Sequence, residues 1–390
     1  MKKHILFIPF LIIIVVISVI LIGEVGTVFY RTLSGKGGYI WIPDYYLGVV
    51  HAPNSRFTYV ERYSKEFSVK RKTNSLGLVG EEISLEKPEN VFRILVLGDS
   101  FTEGLHVDEG KNFCERLEYL LNKDQIIRDF EVINAGMSGY SPIAEYLFLK
   151  RELLKLKPDL IILQLFPNDV FEDNKTGAMS VLNQDGFPIK INKFFIDRYY
   201  NNPDCFNGVM QKELLYKWHK FIISKSMFLQ SFARASKKFH KKSSFHLAMT
   251  ELPEYDDRHQ FFIVQGYNTL FKDVKFREKA LSNTRKYILR IKDLAEKNND
   301  RFFMFCIPPE GQLNVDHLND YYSYFPKAAN HYFNKRLKQL SRRNAIDYLD
   351  LRAVLNKNKD KDLYYKEDGH LKEIGHSIVA EELFKRIKIR

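Results

Sequence analysis

Along most of the chain, short unbroken apolar runs alternate with stretches whose apolar positions recur every three or four residues. From Val91 onward the runs read "FRILVL", "FEVINA", "PDLIILQL", "RFFMFCI" and "AIDYLDL". The helical stretches among and after them read "FCERLEYLLN", "PIAEYLFLKRELLKL", "KAANHYFNKRLKQLSRR" and "LKEIGHSIVAEELFKRI". A strand-length run with no polar alternation is one buried on both faces. The pattern therefore predicts an α/β domain, a parallel sheet with helices on both faces. In such sheets sites form at the carboxyl ends of the strands.

Three segments stand outside this alternation. Residues 1–23 open with "MKKH" and continue as an almost purely apolar run, Ile5 to Gly23. That run is long enough to cross a bilayer core of roughly 30 Å. It lacks a small-residue cleavage site, and no cysteine follows for a lipid anchor. The expectation is an uncleaved transmembrane signal anchor, with Lys2 and Lys3 cytoplasmic and the bulk of the chain extracytoplasmic. Residues 24–90 read as a linker and a small β-type preface, in phrases such as "RFTYVERYSKEFSVKRKTNS". The sheet domain, 91–390, is interrupted by an insertion over 170–283. Its "MSVLNQDGFPIKI" resembles a hairpin and its "LLYKWHKFIISKSMFLQSFARA" an amphipathic helix. Such insertions become lids or docking elements.

Composition narrows the chemistry. With 45% hydrophobic and 28% charged residues the chain is globular. Its net charge is +12, and between Lys212 and Lys242 nine Lys or Arg face a single acid, Glu213. A solvated helix face is the simplest reading of that stretch; an anionic membrane surface is the sharper one. Nucleic acid is not expected for an external domain. The three cysteines form no Cys-x-x-Cys pair, and Cys114 and Cys306 sit in apolar contexts as small buried hydrophobes. No His-Glu-x-x-His, clustered His/Cys set, dinucleotide loop or phosphate loop occurs, so no metal and no organic cofactor is expected.

The strand ends carry the candidate chemistry. Strand one ends in Gly98-Asp99-Ser100, strand two in "NAGMSGYS" and strand three in "FPND"; "EDGH" precedes the last helix. Acyl transfer by serine needs a base, an acid to orient it, and donors for the oxyanion. Ser100 supplies the nucleophile, His370 the base and Asp368 the orienting carboxylate, with Glu367 as the competing acid. The backbone N–H of Ser100, a loop glycine and an Asn amide complete the set. Against these stand plainer roles: Ser100 as a helix cap, Asp99 fixing the turn, Gly136 and Gly139 present for positive φ, and His376 packed within a helix.

Taken together, the four blocks resemble the GDSL, or SGNH, hydrolase superfamily of esterases, lipases, thioesterases and carbohydrate deacetylases. The likeness covers roughly 90–169 and 276–390. It implies a flavodoxin-like sheet, a nucleophile at Ser100, an oxyanion hole at Gly139 and Asn168, and Asp368 and His370 as acid and base. Two departures mark this chain. Phe166 occupies a position where the family commonly has Gly, and its ring would narrow the acyl pocket. The acid and base stand as Asp-Gly-His, not Asp-x-x-His, a spacing similar to that of polysaccharide O-acetylation proteins. The resemblance thus implies a serine esterase acting on carboxylic, O-acetyl esters of an extracytoplasmic glycan. An O-acyltransferase of envelope polysaccharide is the alternative, and a non-catalytic glycan-binding protein of the same fold the second.

Overall fold

The computed structural model describes residues 14–23, 25–26, 41–44, 46–61, 65–123, 129–184, 187–191, 274–313 and 332–388. The chain divides into two compact units, one of residues 1–40 and 198–258, the other of 41–197 and 259–390. In the first unit the described residues are the helical 14–23 and 25–26, whose apolar side chains are exposed, Ile22 to 73%. No helix among the described residues is long and apolar enough to cross a membrane. The expected anchor is described only from residue 14 onward, and the basic stretch 212–242 lies outside the described residues.

The second unit holds the sheet. Its five strands are β5 (Val91–Gly98), β6 (Asp129–Gly136), β7 (Leu160–Leu165), β10 (Arg301–Cys306) and β11 (Asp347–Asp350). All pair in parallel, in the spatial order β11-β10-β7-β5-β6. Numbered by their place in this sheet, that is 2-1-3-4-5, the flavodoxin-like doubly wound order. The chain crosses from one side of β5 to the other between β6 and β7, so the switch point lies at the carboxyl end of β5.

Side-chain alternation along each strand divides the core in two. Leu95, Leu97, Ile161, Leu163 and Met304 face the helices α3 (Pro142–Arg151), α5 (Val274–Lys297) and α6 (Tyr332–Arg343). Ile94, Val96, Ile162, Phe303 and Phe305 face α2 (Phe113–Lys123), α7 (Arg352–Lys357) and α8 (Glu373–Lys388). Cys114 and Cys306 are buried free thiols in these layers.

Two antiparallel hairpins precede the sheet: β1 (Trp41–Asp44) with β2 (Gly48–His51), and β3 (Arg56–Val60) with β4 (Ser68–Lys72). After β7 come α4 (Asp169–Met179) and a third hairpin, β8 (Ser180–Leu182) with β9 (Pro188–Ile191), where the sequence pattern put one. Helices α4 and α5 pack together and against α3. The helical covering of the sheet therefore reaches into both ends of the 170–283 stretch.

One polar group is built into this frame. Arg93, on β5, is fully buried. Its guanidinium pairs with Glu131 on β6 at 2.7 Å and donates to the carbonyls of Leu156 (2.5 Å) and Ser84 (3.0 Å). Removing one side of a buried pair strands the other. We expect Arg93→Ala to cost about 3 kcal/mol in urea unfolding and Glu131→Gln, which keeps an acceptor, about 1 kcal/mol or less.

Candidate active site

The carboxyl end of β5 turns directly into a single helical turn, α1 (Ser100–Glu103). Asp99 caps it, its Oδ1 accepting from the Phe101 N–H at 2.9 Å. Ser100 is thereby held at the first position of the turn, with its hydroxyl clear of the sheet. The adjacent end of β6 lies so close to this turn that a Cβ at Gly136 would overlap the Glu103 backbone nitrogen. Gly136 is thus a requirement of space. Gly139, three residues on, has φ +77 and open room around it, so it is the loop glycine that needs positive φ.

His370 reaches the site from the loop before α8. Its Nε2 lies 2.8 Å from Ser100 Oγ and its Nδ1 2.6 Å from Asp368 Oδ1. These partners assign the tautomer: Nδ1–H donates to the carboxylate, and Nε2 accepts from the hydroxyl. Asp368 is the carboxylate in contact, while Glu367, the competing candidate, is exposed. A hydroxyl bonded to an imidazole whose far nitrogen meets a carboxylate has the connectivity that serine acyl transfer uses.

The imidazole is also held on both faces. His106 stacks on one side at 3.8 Å between centroids and 12° between planes; Phe101 lies on the other at 4.7 Å. Phe166 stacks behind Phe101 at 4.3 Å and is only 8% exposed. The expectation that Phe166 narrows an acyl pocket is thereby corrected. Its ring is taken up by the core on the Phe101 side and offers almost no surface to a substrate. Asn168 sits where β7 turns into α4, its side chain beside the Asp99 carboxyl. Ser100, Gly139 and Asn168 thus stand on three neighbouring strand-end turns.

Electrostatics follow from burial and these contacts. Burial opposes protonation of His370, but the hydrogen bond and charge of Asp368, with Asp99 and Glu103 behind it, outweigh that cost and raise its pKa. Burial would raise Asp368, yet the same bond, the His370 charge and His106 hold it well below the carboxylate range. His106 is pushed well below the usual histidine range by burial and then by His370, so it is a neutral ring. His376 in α8 is a packed helix histidine, accepting from the Phe113 N–H at 3.3 Å and pushed down to about 3, chiefly by burial.

His106, Asp368 and His370 bring donor atoms within 4.8 Å of one another. With the two rings parallel, their in-plane lone pairs run side by side, whereas metal ligands must converge on one point. A groove of about 290 Å³ between α5 and α6, lined by Leu281, Arg285, Phe333 and Arg336, contains none of the strand-end residues.

Sequence reasoning missed several residues around this centre. His51, on β2, meets Glu103 at 2.5 Å, and Glu103 also accepts from Ser138, next to Gly139. His51 Nδ1 faces the Gly77 carbonyl at 3.2 Å and must donate to it. Glu145, Asp169, Asp173 and Asp99 form a buried acidic set behind Asn168. Both Glu145 carboxyl oxygens are buried without a hydrogen-bond partner. Burial and mutual repulsion push Glu145 and Asp169 well above the carboxylate range. Burial pushes Asp173 up to about 6 against the bonds that Thr284 and the Ile143 N–H give it.

Residues 267–390 match the family model described as SGNH hydrolase-like domain, acetyltransferase AlgX. That segment includes Asp368 and His370 but not the strand end bearing Ser100. Among solved structures, the chain is similar to an acetyl xylan esterase, AlAXEase, at 16% identity over 76% of this chain and 100% of that one, with a TM-score of 0.40. It is similar to a catalytic mutant of Axe2, an acetylxylan esterase from Geobacillus stearothermophilus, at 13% identity over 76% and 94%, with a TM-score of 0.38. A lipase/acylhydrolase from Enterococcus faecalis is similar at 12% identity over 76% and 95%, TM-score 0.38. No curated protein matches the chain.

The Asp173 shift fixes the sign of one pH effect. Its folded pKa lies above the unfolded value of about 3.9, so its contribution is fully present below pH 4 and is lost as pH rises through 6. Asp173→Asn keeps an oxygen for the Ile143 N–H and cannot ionise. Between pH 4 and pH 7 it should gain about 2 kcal/mol relative to the unmodified chain, read as the change in urea-unfolding difference at the two pH values.

Proposed function

We propose that this protein, a member of the GDSL/SGNH hydrolase superfamily, is a serine esterase that cleaves carboxylic esters through an acyl group on Ser100. The observation that carries the reading is the continuous chain from Ser100 Oγ through His370 to Asp368, at 2.8 and 2.6 Å.

Ser100 Oγ attacks the ester carbonyl carbon while its proton passes to His370 Nε2. The imidazolium that results is stabilised by Asp368, which accepts from Nδ1 throughout. The backbone N–H groups of Ser100 and Gly139 and the Asn168 amide bind the oxyanion. Collapse breaks the bond to the alcohol, which leaves with the proton from His370. Water then attacks the acyl-serine, giving its proton to His370, and the carboxylic acid departs as Ser100 is restored. The neutral His106 face and Phe101 keep the imidazole in one plane through both half-reactions.

The ester is, in this reading, an O-acetyl group on an extracytoplasmic glycan. Acetyl is supported by the acetyltransferase character of the family whose model matches 267–390. The external location is supported by the apolar run Ile5 to Gly23 behind Lys2 and Lys3. The same family match favours a second reading, in which a glycan hydroxyl takes the place of water and the acetyl group is transferred. Both readings use the same acyl-serine and differ only in the acceptor.

Ser100→Ala should lower short-chain aryl ester hydrolysis by about 10⁴-fold or more and abolish the acetyl adduct seen by intact mass. An unchanged rate in that variant would sink the reading. Adding glycan acceptors separates transfer from hydrolysis. Because His370 acts as base only when neutral and its pKa is raised, kcat/KM should fall on the acid side along a limb centred above about pH 6.5.

A further inference from the structure

We propose that Glu66 is a positioning residue for the Asp368–His370 pair, so that the β3–β4 hairpin is part of the active site. The inference rests on the esterase reading for its activity readout and on geometry for the rest.

The loop that carries acid and base offers five successive backbone N–H groups, Lys366 to His370. Three of them go to one side chain from the far end of the chain. Lys366 N–H donates to Glu66 Oε1 at 2.8 Å, and those of Glu367 and Asp368 donate to Oε2 at 3.1 and 3.0 Å. The other two are satisfied within the loop: Gly369 N–H donates to the Tyr365 carbonyl, and His370 N–H faces Asp368 Oδ1 at 3.3 Å. Successive amides around one carboxylate form an anion nest, and each bond is charge-assisted. Glu66 therefore sets where the Asp368 backbone lies, and through it the 2.6 Å contact with His370 Nδ1.

The hairpin end that delivers Glu66 also supports the imidazole from a second side. Phe67, the next residue, packs on Tyr365 at 4.9 Å and edge-on to His106 at 5.2 Å. Tyr59 on β3 meets His106 edge-on at 5.6 Å, and the Tyr365 hydroxyl donates to the His106 carbonyl at 2.9 Å. Thus the ring stacked on His370 and the loop that holds His370 share one support.

Loss of Glu66 frees three amides of a loop whose i to i+2 Asp–His spacing tolerates little rotation. A misplacement of about 1 Å at a reacting group costs about 100-fold in rate. The charged and titratable groups facing His370 are Asp368 on its own loop, Asp99 and Glu103 from the β5–α1 turn, His106 after α1 and His376 on α8. Weakening the Asp368 bond removes the largest influence that raises His370, so its titration should move to lower pH.

The test uses the full chain with Glu66→Ala and Glu66→Gln. Aryl ester kinetics are read beside NMR titration of ring-labelled histidine, with the His370 signal assigned by its loss in His370→Asn, and a thermal melt. For Glu66→Ala we expect kcat lower by about 100-fold with KM little changed, a lowered His370 titration and an acid limb displaced with it. Glu66→Gln, which keeps one acceptor oxygen without the charge, should fall between. A folded Glu66→Ala with the unmodified kcat and titration would overturn the proposal. So would equal titration shifts in the two variants with kcat intact, since charge alone would then explain them. If the unmodified chain cleaves no ester, the esterase reading falls, and the His370 titration still decides the role of Glu66.

Discussion

The site depends on one imidazole having a single place to be. His370 is bonded at both nitrogens, to Asp368 and Ser100, and covered on both faces, by His106 and Phe101. These four contacts come from three segments: the α1 turn, the stretch at His106 and the loop of His370 itself. None of those segments is self-sufficient. Ser100 is placed by a strand end and its Asp99 cap, Asp368 by a loop tied to Glu66, and His106 by a hairpin and Tyr365. The strand order of the sheet is what makes these segments neighbours, since the switch point beside β5 opens the crevice into which the loop before α8 can reach.

That same ring carries the electrostatic tension of the domain. Burial penalises every charge near it, yet Asp368 is held ionised and His370 is biased towards protonation. The compensation is local and directional: each charged group is opposite its partner, and the third ring, His106, is neutral. Behind Asn168 the outcome is reversed. Glu145, Asp169 and Asp173 have no cation facing them among the described residues, and burial with mutual repulsion drives them towards the neutral acid. Two kinds of buried carboxyl, compensated and uncompensated, thus lie on either side of the same strand ends.

Much of this was legible in the sequence, for a physical reason. Strands buried on both faces write unbroken apolar runs, as β5 and β7 do, and each of the five runs from "FRILVL" to "AIDYLDL" became a strand of the parallel sheet, the last of them the half-buried edge strand β11. Polar residues placed directly after such runs have few roles, so Ser100 and Asn168 stood out, as did Asp368 and His370 in "EDGH" before the last helix, and Ser100, Asp368 and His370 are brought together. Glu66 did not stand out. In "YSKEFSV" it reads as any solvated acid, and its partners are backbone amides some 300 positions away, which leave no trace in residue identity. His51 and Glu103 were hidden likewise, each answering a need of the other. Glu145 was missed because α3 is buried around most of its circumference, so no polar face distinguished it. His106 did leave a signal: a histidine flanked by Leu105 and Val107, six residues after the nucleophile, is a polar ring in an apolar slot.

The span between Ser100 and His370 has a bearing on how the protein comes into being. At roughly 5–20 residues per second, the ribosome needs on the order of tens of seconds to travel from the strand that ends at Ser100 to the loop that ends at His370. During that interval the nascent chain carries the serine without its base, as an ordinary hydroxyl. The edge strand β11 and the loop bearing Asp368 and His370 follow the serine in the chain, so the triad is assembled only after both have been made. A chain interrupted before His370 would carry Ser100 without its base, so premature termination there yields a silent product and not a stray acylating one.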